Sequence, residues 1–183
     1  MNTFVKTRDI LIALETAIAA IQLPASYSQV PDYPKAFVAA GVKVYGTQDL
    51  FKALADLLVF DDRACFIVPG GDTHDTKIAG NVMSIQRKSE VHLLIADRNY
   101  DKFSEAGLIG ETNVNPGVAV LKDLVIDALL GQSLANLKTV ALAPTSGEPL
   151  HLTDRKQSED NPGRYCWALT FTTYAGQARI AIR

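Results

Sequence analysis

The chain has 183 residues, of which 48% are apolar, and a formal net charge of −2 from 18 Lys and Arg against 20 Asp and Glu. That length suits one globular domain with a sizeable core, residues 1–183, and the composition is not that of a disordered chain. The charge balance, with no basic run of five or more, speaks against a nucleic-acid partner held through its phosphates.

Ile10, Leu11, Leu14, Ile18 and Ile21 recur at steps of three and four, which predicts an amphipathic helix ended by Pro24. Asp9, Glu15 and Gln22 interrupt this segment, so it reads as neither a targeting leader nor a membrane span. With no membrane partner implied, the chain is expected to be soluble and cytoplasmic. Residues 22–46 carry Pro24, Pro31 and Pro34 and read as an irregular arm or long loop. Its Tyr27, Tyr33 and Phe37 either meet a partner or simply pack on the chain's own body.

Thr47 can cap a second helix, TQDLFKALADLLVF, with Leu50, Phe51, Leu54, Leu57 and Leu58 as its apolar face. The Asp61-Asp62 pair after it reads as a capped, solvated turn. ACFIV follows as a buried strand, halted by Pro69-Gly70-Gly71. The polar stretch Asp72-Thr73-His74-Asp75-Thr76 then reads as a solvated turn joining two strands. It lacks the second glycine before Lys77 that a phosphate-binding loop needs. Its Asp72, His74 and Asp75 could ligate a metal only if further ligands came from elsewhere, and no His or Glu cluster supplies them.

MSIQRKSEVHLLIADR alternates, with Met83, Ile85, Val91, Leu93 and Ile95 at odd positions and polar residues at even ones. This is the pattern of a strand covered on one side. Arg87 and Ser89 break the apolar side at its middle, so the face opens there or a bulge shifts the register. Asn115-Pro116-Gly117 starts a third helix, VAVLKDLVIDALLGQ, with Val118, Leu121, Val125, Ala128 and Leu129 on one face and Gly131 as its stop. LKTVALAP, PLHLTD and YCWALTFTTY then read as strands, and beyond Gly176 the apolar parity passes to Ala178, Ile180 and Ile182, which requires a bulge or a turn. The order is not an alternating βαβ pattern. It predicts an α+β domain with a mixed, mainly antiparallel sheet and helices packed on one face.

Cys65 and Cys166 fall in apolar strands and read as reduced core residues, and His92 and His151 have no nucleophile in a recognisable setting. No cofactor is implied, and the chain reads as a non-enzyme.

The segments FIVPGGDT, QRKSEVHLLIADR, VLKDLVIDALLGQ, LKTVALAPTSGEPLHLTD and GRYCWALTFTTY, spanning roughly residues 47–175, resemble the tail-terminator (tail-completion, minor tail) proteins of bacteriophages and prophages. That resemblance implies a small α+β structural subunit whose copies form a six-membered ring. The ring would cap the tail tube, stop its polymerisation and meet head-completion proteins, in the host cytoplasm during assembly and in the virion tail afterwards. Its partners would be itself, the tail-tube protein and the head-completion protein. Ring contacts are head-to-tail, and long loops at the ends of a sheet are natural places for them. GGDTHDTKIAGN and NYDKFSEAGLIGETNVN are the candidates, which gives Asp72, His74, Asp75, Lys77, Tyr100 and Phe103 as interface residues, and Arg87 joins them because it intrudes on an otherwise apolar face. Arg87 either serves such an interface or snorkels to the sheet edge. Two alternatives stand beside this reading: a head–tail connector or other tail-apparatus subunit, and a small enzyme with a site in the Gly70–Thr76 loop.

Overall fold

The computed structural model describes residues 5–46, 50–98, 106–111, 114–130, 142–152 and 164–181. Helix α1 (Thr7–Ala19) is followed by a Pro-rich segment with two single 3-10 turns and a short strand β1 (Val42–Val44). Then come α2 (Leu50–Val59), β2 (Ala64–Ala79), β3 (Val82–Ala96), a one-turn α3 (Ala106–Ile109), α4 (Gly117–Leu129), β4 (Leu142–Leu152) and β5 (Arg164–Ala181). The five strands form one sheet in the order β1-β2-β3-β5-β4. Only β1 and β2 run parallel, and the other pairs are antiparallel. The protein is therefore α+β with a mixed, mostly antiparallel sheet.

Strand alternation sends Cys65 and Ile67 of β2, Leu93 and Ile95 of β3, and Leu169 and Phe171 of β5 to one face. There they meet Ile10, Leu14 and Ile18 of α1 and Val118, Leu121, Val125 and Leu129 of α4. The helix periodicity read from the sequence gives the buried faces of α1 and α4. Helix α2 departs from the expectation that helices share a face: its Ala53 and Leu57 pack with Phe66, Val68, Leu94 and Cys166 on the opposite side. Its buried side is also narrower than the sequence suggests. Phe51, placed on the apolar face by periodicity, is 88% exposed, because apolar residues spread round more of this helix than the sheet covers, and only Ala53 and Leu57 are buried.

The Pro-rich segment is pinned to the body. Leu23, Val30, Ala36 and Phe37 are buried, so Phe37 is a core residue and not a partner contact. The fully buried Arg63 donates through Nη2 to the carbonyl oxygens of Pro31 (2.6 Å) and Lys35 (3.2 Å). Asp62 is not a solvated turn residue. It accepts from Arg98 Nε at 2.7 Å, and Arg98 also reaches Asp32 at 2.7 Å.

Two further caps correct the sequence reading. Asn115 does not cap α4; it is buried and donates to Asp97. The cap is Asp97 itself, from the end of β3, whose Oδ2 accepts the Gly117 N–H at 2.6 Å. Burial pushes the Asp97 carboxyl above its ordinary range, against the pull of the Arg98 and Gly117 N–H groups and of Asn115. At the far end of α2, Arg164 donates to the carbonyls of Leu57 (2.7 Å) and Phe60, and to those of Asp62 and Asp97. Desolvation lowers its pKa to about 10. One buried guanidinium thus ties the orphan carbonyls of α2 to the end of β3. The Thr47 cap, the Gly131 stop and the polar turn before β5 lie outside the described residues.

Candidate assembly surface

The stretch Gly70–Thr76 is not a turn. β2 continues through Pro69 to Ala79, and the chain reverses only at Gly80-Asn81. Pro69 is tolerated because β1 ends at Val44, opposite Ile67, so no described strand beyond β1 asks Pro69 for the N–H it lacks. The sequence signal of Pro-Gly-Gly marks a bulge: Pro69 pairs with Val91 and Asp72 with Ser89, so Gly70 and Gly71 together oppose Glu90. A Cβ at Gly70 would sit 2.8 Å from the Glu90 Cβ, which accounts for glycine there. A second bulge lies across β3. Gln86 pairs with Gln177 and Lys88 with Tyr174, leaving Arg87 opposite Ala175 and Gly176, and Gly176 takes φ 122°. This is the parity change anticipated at Gly176.

The two bulges mark a boundary. On one side the sheet carries helices on its faces. On the other, β2, β3 and β5 run on as a three-stranded extension in which every residue from Gly71 to Val82 is exposed. At the boundary stands a polar belt. Arg87 donates to Asp72 Oδ2 through Nη2 (2.6 Å) and Nε (3.2 Å), to the Val5 carbonyl (2.9 Å) and to Thr7 Oγ1 (2.5 Å). The buried Ser89 hydroxyl donates to Asp72 Oδ1 at 2.6 Å. Burial raises the Asp72 carboxyl, but the Ser89 and Arg87 donors outweigh it and hold it below its ordinary 3.8. Arg87 and Ser89, which broke the alternation in the sequence, clasp the N-terminus of α1 to the sheet.

Beyond the belt the same face turns apolar again. Paired residues of adjacent strands share a face, and Ile78, Met83 and Ile180 form one cross-strand row, with Thr76, Ile85 and Ala178 forming the next. Ile78 is 66% exposed and Ile180 41%. The opposite face is polar, with Lys77, Ser84 and Arg179 in one row. Lys88 on that face pairs with Asp75 at 2.5 Å and lies 5.6 Å from the centre of the Tyr174 ring.

Of the interface residues read from sequence, Asp72, His74, Asp75, Lys77 and Arg87 all fall on the extension or its belt. Tyr100 and Phe103 lie outside the described residues. Strand geometry separates the first group. Asp72 and His74 face the α1 side and Asp75 and Lys77 the other, so the three possible ligands of Gly70–Thr76 do not converge on one ion. Among the described residues no group of three or more His, Cys, Asp or Glu stands close enough to hold a metal. Both thiols are buried, and desolvation raises that of Cys65 and pushes that of Cys166 up to about 12. His92 is engaged with Thr170 Oγ1 at 3.0 Å. The exposure of Ile78 and Ile180 was missed because alternation alone says which face a residue takes, not whether anything covers that face.

Beside the belt, between α1 and the root of the extension, lies a cavity of about 580 Å³. Leu11, Ile12, Val44 and Pro69 give it apolar walls, with Arg8 and Glu15 from α1 and Asp72 from β2. Among the described residues no helix is long and apolar enough to cross a membrane. Comparison with protein-family models and with curated proteins finds no match for the chain.

Proposed function

We propose that this protein is a structural assembly subunit of the tail-terminator kind, whose copies close into a six-membered ring on the end of a phage tail tube. The observation that carries the proposal is the apolar row Ile78-Met83-Ile180, with Ile78 and Ile180 exposed and Met83 half-buried between them, held outside the protein's own core by the Asp72–Arg87–Ser89 belt. A monomer does not need that row. Its side chains take no part in either hydrophobic cluster of the described residues, and apolar faces of this kind on protruding sheets are covered by partners. Phe51, Leu50 and Val59 on the outer side of α2 give a second apolar area on the opposite face of the molecule. Two such areas on different sides suit head-to-tail contacts, in which one patch of a subunit meets a different patch of the next.

The ring would form in the host cytoplasm and remain in the virion, with the tail-tube protein on one side and a head-completion protein on the other. The test is to polymerise purified tube protein with and without this protein and to measure tube lengths and end structures by negative-stain microscopy. Capped tubes of limited length are expected, and the Ile78→Ser/Met83→Ser double variant should leave tubes to grow unchecked while remaining folded. Unchanged tube lengths with the wild-type protein would overturn the reading. Binding to a head-completion protein without any effect on tube growth would favour the connector role instead.

A further inference from the structure

The outer half of β2 is an edge strand, and its sequence is complementary to itself. Residues 71–80 are exposed throughout, and among the described residues no strand pairs with β2 on the side away from β3 beyond Ile67. Exposed edges of this length are ordinarily shortened, covered or paired. We propose that a second copy of this chain covers it, with the two β2 strands pairing antiparallel about a two-fold axis at Thr76.

The register follows from geometry and charge. Two edges that continue one sheet through a two-fold axis keep their faces, so each residue must pair with one of its own parity. Centring the axis on His74 opposes it to its own copy and leaves Asp75 and Lys77 opposite Thr73 and Gly71. Centring it on Asp75 sets two carboxylates against each other. Centring it on Thr76 places Asp75 opposite the second copy's Lys77, and Lys77 opposite its Asp75, with Thr76 against Thr76 between them. Opposite charges and Thr–Thr contacts are favourable cross-strand pairs, and like charges are unfavourable ones. In this register His74 lies beside Ile78 of the second copy, and the two rows Ile78-Met83-Ile180 share one face of a six-stranded sheet, staggered by four residues with the Thr76 pair between them. Lys88, which pairs with Asp75 within each copy, stays one strand away on the same face. The contact is isologous and does not depend on the ring: it describes the protein before it meets a tube.

Cysteine cross-linking tests the register. Thr76→Cys should give a disulfide-linked dimer under mild oxidation, because the two residues at the axis stand at ordinary cross-strand separation. Thr73→Cys should not, because its partner is Ala79. The native Cys65 and Cys166 are buried and should not contribute. Sedimentation equilibrium without oxidant should show a monomer–dimer equilibrium that weakens with salt. Asp75→Lys should lower the association constant roughly tenfold or more, and the swap Asp75→Lys/Lys77→Asp should restore it, although both variants lose the Lys88 pair. A strict monomer at high concentration would overturn the proposal. So would cross-linking at position 73 equal to that at 76, or dimerisation indifferent to the reversal. Tube capping by a variant that no longer dimerises would leave the terminator reading standing, and dimerisation by a protein that does not touch tubes would sink that reading alone.

Discussion

Strands β2, β3 and β5 each cross two environments, and the apolar residues keep to one face of the sheet in both, β2 and β5 changing parity at their bulges to do so. In the helix-covered half Val91, Leu93 and Ile95 are buried against α1 and α4. In the extension Met83 and Ile85 occupy the same face of the same strand without a helix above them. Alternation specifies a two-sided strand in both places. The division comes from the Asp72, Arg87 and Ser89 side chains and from two bulges that use Gly70-Gly71 and Ala175-Gly176. Apolar burial in one half stabilises the fold, and the other half leaves Ile78 and Ile180 exposed on the same face.

The sharpest way to break the comparison is to truncate equivalent side chains in the two halves. Leu93→Ala should cost about 2–5 kcal/mol, seen as a lower denaturant midpoint with an unchanged slope, because a fully buried residue leaves a cavity. Next in size is Asp97→Ala, which removes the cap of α4 and leaves the Gly117 N–H and the Asn115 amide without their buried acceptor, at about 1–3 kcal/mol. Asp97→Asn keeps an acceptor and sheds a carboxyl whose charged form burial already disfavours, so it should retain more stability than Ala. Equal losses for Asn and Ala would show that the charge, and not the hydrogen bond, holds the helix.

Much of the covered half was legible in the sequence. The stripes of α1 and α4, the alternation of β3 and the parity change at Gly176 each reflect a local period that packing then used. The outer half of β2 was read as a turn because Pro69, Gly70 and Gly71 break strands in general. Here they sit on an edge and in a bulge, and that depends on where β1 stops, a fact of topology that no local pattern carries. Arg87 was singled out for interrupting an apolar face, but its partners lie 15 residues away at Asp72 and about 80 away at Val5 and Thr7, beyond any local reading. Asp97 gave no signal at all, since a cap supplied from 20 residues upstream leaves no spacing motif.

The belt offers a smaller and more selective test. Arg87→Ala should cost about 1 kcal/mol, since its hydrogen bonds are partly open to solvent and worth little net. Its main effect should be local: amide exchange at the start of α1 should quicken while the α4 amides keep their protection. Acid should mimic it. The folded Asp72 carboxyl lies below the 3.8 of the unfolded chain, so its contribution is complete above that value and fades as pH falls through the lower folded pKa. Protection at the start of α1 should therefore drop below about pH 4 in the wild type, and the Arg87→Ala variant should show a weaker drop. Protection unaffected by either change would mean that the clasp does not hold α1.

The smallest effect on the monomer is expected from the residue row proposed as the assembly contact. Ile78→Ser alters a side chain that is 66% exposed and belongs to neither core cluster of the described residues, so its unfolding free energy should stay within about 0.5 kcal/mol of wild type. Combined with Met83→Ser it should still unfold as one unit, yet it should fail to limit tube growth. The contrast with Leu93→Ala then becomes a double dissociation, one change costing stability and sparing contact, the other costing contact and sparing stability. A large loss of monomer stability from Ile78→Ser would mean that the extension's apolar face is already covered within a single chain, and the partner it is proposed to await would have no surface left to meet.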